Sequence, residues 1–202
     1  MQGENLSFLL KVQEGKKFSL FEFILHISFS ALFGAIAFEI MYQEGIGGKC
    51  MEGKKLENNK DEEIINWNNF NGHIVASGFI YAKQEKKFLV LYHNDLKIFL
   101  YPGGHINEDD ATPLIAAKRE VKEETGLIDL EVLKISNNEL IPIDIDTHII
   151  NYNDRLKLPE HYHFDFRYLF LIDKISEINL DIDEVSDYKW ISIDELIKDF
   201  NY

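Results

Sequence analysis

The sequence predicts a mixed α/β domain, an α+β sheet with helices layered on it, preceded by a helical segment. Three observations predict it. From Gly72 onward, short runs rich in β-branched and aromatic residues follow one another, which is the mark of strands. Only two later stretches carry helix signals, and they do not alternate regularly with the strands as a doubly wound βαβ sheet would require. Ahead of these runs, residues 18–42 are apolar on nearly every helical face, so a helix there must be buried against something. The chain therefore divides into 1–64, a helical segment and linker, and 65–202, the mixed domain.

Taken in order, the first element is FSLFEFILHISFSALFGAIAFEIMY, 18–42. Glu22, His26 and Glu39 interrupt it, leaving an uncharged stretch shorter than the roughly 20 residues a bilayer span needs. A secretion signal is also a poor match, since Glu22 falls inside the apolar run and the preceding stretch is long for an n-region. The expectation is one or two helices packed on the rest of the protein, with membrane contact through 18–42 and export as the less favoured readings. Gln43–Glu63, rich in Gly, Lys, Asn and Glu, reads as an exposed linker.

HIVASGFIYA (73–82) and KFLVLYH (87–93), separated by the charged KQEK, predict an antiparallel hairpin. KIFLY (97–101) predicts a strand running into Pro102-Gly103-Gly104. Thr112-Pro113 is a helix start, with a side-chain cap and a ring already fixed near helical φ, and Gly126 is a stop, so a helix is expected from about Pro113 to Thr125. Leu114, Ala117 and Val121 are its buried stripe. Further strands are expected at 128–136, 139–150, 161–173 and 188–192, and IDELIKDF (193–200) closes the chain as a helix.

Composition narrows the function. With 21 Lys+Arg against 35 Asp+Glu the net charge is −14, which repels nucleic-acid backbones and anionic membrane surfaces. No nucleic-acid partner is expected. An acidic protein that handles phosphates needs metal ions between the two negative partners, so clustered carboxylates are the feature to seek. The single cysteine, Cys50, excludes an intrachain disulfide framework and agrees with a reducing, cytoplasmic location.

Such a cluster lies on the central helix. Glu120, Glu123 and Glu124 sit at i, i+3 and i+4, where like charges destabilise a helix by roughly 0.2–0.5 kcal/mol per pair. They could form a solvated acidic face neutralised by Lys118, Arg119 and Lys122. They also follow a Gly-Gly loop, where backbone approaches a ligand closely and a carbonyl can add an oxygen donor. Hard oxygen donors of this kind suit Mg2+ or Mn2+.

Gly104 followed by Arg119-Glu120-Val121-Lys122-Glu123-Glu124-Thr125-Gly126-Leu127 resembles the Nudix box, G-x5-E-x7-R-E-U-x-E-E-x-G-U, with U a bulky aliphatic. The second half fits at every fixed position. The first half is one residue longer, with Asp110 standing for the missing Glu. FNGHIVASGFIYA, FLYPGGH and DEVSDYKWISIDEL extend the resemblance over roughly 65–202. The resemblance implies a Nudix-like α/β/α sandwich that hydrolyses a nucleoside diphosphate linked to another group X, a pyrophosphohydrolase using a divalent metal. By the same carry-over Gly104, Glu120, Glu123 and Glu124 would be metal ligands, with Glu120 or Glu123 as catalytic acids or bases. Arg119 would orient the carboxylates, and Glu184 would be an extra acid from a late loop.

A second constellation is His161-Tyr162-His163-Phe164-Asp165-Phe166-Arg167. Alternation puts His161, His163, Asp165 and Arg167 on one strand face and three aromatics on the other. The polar face is either a solvated sheet surface or a substrate-binding wall. The H-x-H-x-D-x-R run resembles a group of bacterial Nudix proteins with an N-terminal helical extension. Asp144, Asp146 and His148 alternate in the same way, and would offer a second metal site were the two strands neighbours. Two functions are carried forward: the hydrolase, and a Nudix-fold nucleotide-binding or regulatory module whose chemistry has lapsed.

Overall fold

The computed structural model describes residues 65–134, 141–154 and 157–200. The expectations for 1–64, including 18–42, lie outside these residues. Among the described residues no helix is long and apolar enough to cross a membrane. The elements in chain order are β1 (His73–Ala82), β2 (Lys87–His93), β3 (Phe99–Leu100), β4 (Gly103–His105), α1 (Pro113–Thr125), β5 (Glu131–Val132), β6 (Asp144–Ile150), β7 (His161–Ile172), β8 (Val185–Ser192) and α2 (Ile193–Phe200).

One mixed sheet joins the eight strands, and its spine is the parallel pair β1 and β7, in register from His73↔His163 to Ala82↔Ile172. Along its other edge β1 pairs β2 at one end and β4 at the other. β7 likewise pairs β6 along its first half and β5 along its second. Because successive side chains alternate between faces, the sheet has two apolar surfaces. Ala76, Ile80, Tyr168 and Phe170 pack against Leu114, Ala117 and Val121 of α1. On the opposite face Phe79, Tyr81, Leu169 and Leu171 pack with Ile193 and Leu196 of α2.

Local chemistry sets the helix ends. Thr112 Oγ1 accepts from the Ile115 N–H at 3.3 Å, Pro113 opens the helix, and Gly126 closes it at φ 74° with its N–H on the Lys122 carbonyl. α2 begins with a reciprocal cap, Ser192 N–H to Glu195 Oε2 at 2.7 Å and Glu195 N–H to Ser192 Oγ at 3.3 Å.

The structure shortens three of the expected strands and adds one. Among the described residues, strand pairing covers 99–100 within 97–101 and 131–132 within 128–136, and of the strand expected over 139–150 it covers Asp144–Ile150 and not 141–143. Gly103-Gly104-His105, which reads as a loop, is a strand on β1. Glycine permits it: a Cβ on Gly104 would stand 2.6 Å from Glu120 Oε1.

Candidate active site

The box carboxylates lie under β4 on the α1 face of the sheet. Glu120 and Glu124 are 8% and 5% exposed, while Glu123 faces outward. One guanidinium organises the cluster. Arg119 Nη1 donates to Glu120 Oε1 and Glu123 Oε2, each at 2.8 Å, Nη2 donates to Asp110 Oδ2 and to the His105 carbonyl, each at 2.8 Å, and Nε reaches Asp110 Oδ2 at 3.1 Å. Asp110 also accepts the Asn107 N–H at 2.9 Å, which fixes the longer loop to the helix. A bidentate carboxylate clamp of this kind sets orientation as well as charge.

One guanidinium shared among three carboxylates leaves the buried pair short of positive charge. Burial raises Glu120 to about 7 despite Arg119, with Glu123 and Glu184 adding to the rise. Burial, then Glu120 and Glu184, raise Glu124 to about 9, opposed by a hydrogen bond from the Gly103 backbone. Glu184, in the turn before β8, thus stands close enough to act on both. Gly104, Arg119, Glu120, Glu123, Glu124 and Glu184 come from three separate segments and meet here. Carboxylates this buried and this mutually repelling fit a hard divalent cation, which would replace protons as the neutralising charge.

The second constellation lies on the other face. β6 and β7 are neighbours, with Asp144↔Arg167, Asp146↔Asp165 and His148↔His163 in register. Arg167 fills the space between the acids: Nε to Asp165 Oδ2 at 3.0 Å, Nη1 to Asp144 Oδ2 at 2.9 Å and Nη2 to Asp146 Oδ2 at 2.7 Å. A cation already sits where the sequence offered Asp144 and Asp146 to a metal. His161 and His163 lie farther along the same face, beside His73 of β1 and His105 of β4. The sequence reading passed over both of these last histidines. His73 stands at the start of β1 and His105 at the end of the three-residue β4, far apart in sequence, and only the strand pairing reveals that they converge.

A family model, NUDIX domain, matches residues 72–202. The chain belongs to the NUDIX family. A curated Lactococcus lactis protein named Probable DHNTP pyrophosphohydrolase is 31% identical over 99 residues, 49% of this chain and 54% of that protein. The chain thus spans about half the length of the curated relative it matches. Among solved NUDIX-like structures, a C. elegans Ap4A hydrolase binary complex superposes with TM-score 0.48 at 22% identity, over 64% of this chain and 86% of that one. A NUDIX family hydrolase from Clostridium perfringens gives 0.46 at 26% identity, over 62% and 85%. NUDIX enzymes use divalent metals, and the carboxylate set beneath β4 is suited to one.

Proposed function

We propose that this NUDIX protein hydrolyses a nucleoside diphosphate linked to another group X, with Mg2+, or Mn2+ in its place, held by Glu120, Glu123, Glu124 and the Gly104 carbonyl. The observation that carries the reading is the buried Glu120–Glu124 pair, whose raised pKa values mark a charge deficit that a structural acidic face in water would not have. The pyrophosphohydrolase named among its relatives supports the same bond type.

When bound, the ion would neutralise diphosphate oxygens and make water acidic enough to supply hydroxide near neutral pH. Water attacks phosphorus, the P–O anhydride bond breaks, and the water's proton passes to a carboxylate within hydrogen-bond reach. Glu120 or Glu123 is the acceptor we assign, both being box carboxylates held in place by Arg119. Arg119 holds Glu120 and Glu123 in place and ties them to the loop through Asp110 and the His105 carbonyl. Glu184 adds a further acid at the rim. His161, His163, Asp165 and Arg167 lie across the sheet from these carboxylates, so they would meet only a part of the substrate that reaches past β4 to that face, and Arg167, already bound to three acids, would brace the face rather than hold phosphate.

The test is untagged full-length protein with Mg2+ against sugar nucleotides, dinucleoside polyphosphates, nucleoside triphosphates and dihydroneopterin triphosphate. Release of phosphate or nucleotide from one class, abolished by chelator, is expected. No turnover on any of them would turn the reading to a binding or regulatory module. Gly104→Ala supplies a second check. Its Cβ would overlap Glu120 Oε1, which stands only 2.6 Å from that position, and so push the carboxylate aside, and misplacing a reacting group by about 1 Å can cost on the order of 100-fold in rate. A folded Gly104→Ala protein with parental turnover would remove Glu120 from the mechanism.

A further inference from the structure

On the face opposite the box carboxylates, three imidazoles converge from three strands. His73 of β1 pairs His163 of β7 in the parallel register, and His105 of β4 lies opposite Val75, on the same face as His73 two residues away. One ring nitrogen from each of the three can be chosen so that all lie within 4.8 Å of one another. The ring centroids are 5.0 Å apart for His73 and His105, 4.7 Å for His73 and His163, and 5.5 Å for His105 and His163.

The tautomers turn lone pairs inward. His73 Nδ1–H donates to the Asn69 carbonyl at 3.2 Å, leaving Nε2 as an acceptor; that atom is buried without a partner in a residue only 1% exposed. His161 is built the same way: Nδ1–H donates to the Pro159 carbonyl at 2.7 Å, and Nε2 faces His163 Nε2 at 3.2 Å. A neutral His163 has one N–H for its ring and so can satisfy one of these inward lone pairs at most. A backbone carbonyl on the far ring nitrogen is also the arrangement that fixes metal-ligating histidines. Burial, with the neighbouring rings adding to it, holds His73 down at about 4 and lowers His105 and His163. All three are therefore neutral, the form that binds metal.

We propose that His73, His105 and His163 form a binding site for a borderline transition-metal dication of the zinc type, distinct from the carboxylate site and with His161 beside its open position. Three nitrogen donors with one position left over suit Zn2+ and its neighbours in the first row, and do not suit Mg2+. The two sites are back to back on β4. Gly104 faces Glu120, His105 faces the histidines, and the His105 carbonyl accepts from Arg119. An ion on the histidines would clamp β1, β4 and β7 at the point where the loop to the box helix departs. Its role is thus to hold the loop, and the site is independent of whether the carboxylate face proves catalytic.

The experiment uses untagged full-length protein, stripped with chelator and returned to millimolar Mg2+ so that the carboxylates are saturated. Zn2+ is titrated with metal analysis after gel filtration, and Co2+ is followed by its visible absorption, which reports nitrogen ligation and geometry. Roughly one Zn2+ per chain, a rise in Tm with Zn2+, and tetrahedral Co2+ bands are expected. His105→Ala is the variant least able to harm folding, because His105 is on the exposed rim; with His163→Ala it should weaken Zn2+ by at least about tenfold, the floor set by losing an outer-shell partner alone. Glu120→Gln should leave Zn2+ binding unchanged. Zinc retained at parental affinity by a folded His105→Ala protein, zinc lost in Glu120→Gln, or no binding above a tenth of an equivalent would each overturn the site.

Discussion

Replacing Glu124 by Gln is expected to remove most hydrolysis while making the metal-free protein more stable. The two effects share one cause. Glu124 is 5% exposed, and burial, with Glu120 and Glu184 adding to it, raises its pKa from 4.5 to about 9. A carboxyl whose pKa rises on folding binds more protons folded than unfolded between those two values. Its contribution to stability is therefore fullest at low pH and is lost as pH climbs from about 4.5 toward 9, at about 1.4 kcal/mol per unit. Near neutral pH the metal-free chain bears a cost of a few kcal/mol, which Gln, nearly the same shape and never charged, relieves. Because Glu120 shares the coupling and a Gln amide must find partners, we expect a gain of about 1–3 kcal/mol. The parent's metal-free stability should fall with pH in this window, and the variant's should fall less.

Metal reverses the order. Mg2+ at a hundredfold excess over its dissociation constant should stabilise the parent by about 2.7 kcal/mol and the Gln variant much less. Turnover should drop by about 100-fold or more, the usual loss when one member of a preorganised electrostatic set is removed. Thermal melts with Mg2+ and with chelator, together with hydrolysis rates, measure all three. Parental turnover with a parental Mg2+ shift would sink the assignment of this carboxylate.

The box helix was legible because its signals are local. Thr112, Pro113 and Gly126 each act within one turn, and the acid spacing on α1 needs no tertiary knowledge. The alternation of β7 was legible for the same reason, its period of two sorting His161, His163, Asp165 and Arg167 from the aromatics. What sequence could not carry is pairing across distance. Nothing local says that His73 lies beside His163, so the histidine cluster was invisible although its members were plain. Gly103-Gly104-His105 has no strand propensity and pairs with β1 only because glycine lets Glu120 and Ser77 come close. Asp144 and Asp146 could be seen to alternate, but that Arg167 stands between them depends on the β6–β7 register.

That register gives the second large effect: Arg167→Met should destabilise the protein by about 3–5 kcal/mol, the range for breaking a buried ion pair by removing one partner. The Arg167 and Asp165 side chains are 6% and 3% exposed, and Asp144 is 4% exposed. Asp144 already sits high, at about 6, because burial outweighs the pull of Arg167. Without the guanidinium, three acids would face one another across two strands, and the Tyr101 ring, now 5.1 Å from the Arg167 guanidinium carbon, would lose its cation. The sulfur side chain fills much of the volume, so the loss reports charge rather than a cavity. Adding Asp144→Asn and Asp165→Asn to Arg167→Met removes the two buried stranded charges, leaving only Asp146, which at 36% exposure water can solvate, and should recover most of the stability, since buried ion clusters can be replaced by neutral residues at little cost. Urea melts of the single and triple variants measure this. A single variant within about 1 kcal/mol of the parent would show that the Arg167 cluster is hydrated and loosely held, and that its face is free to meet substrate directly.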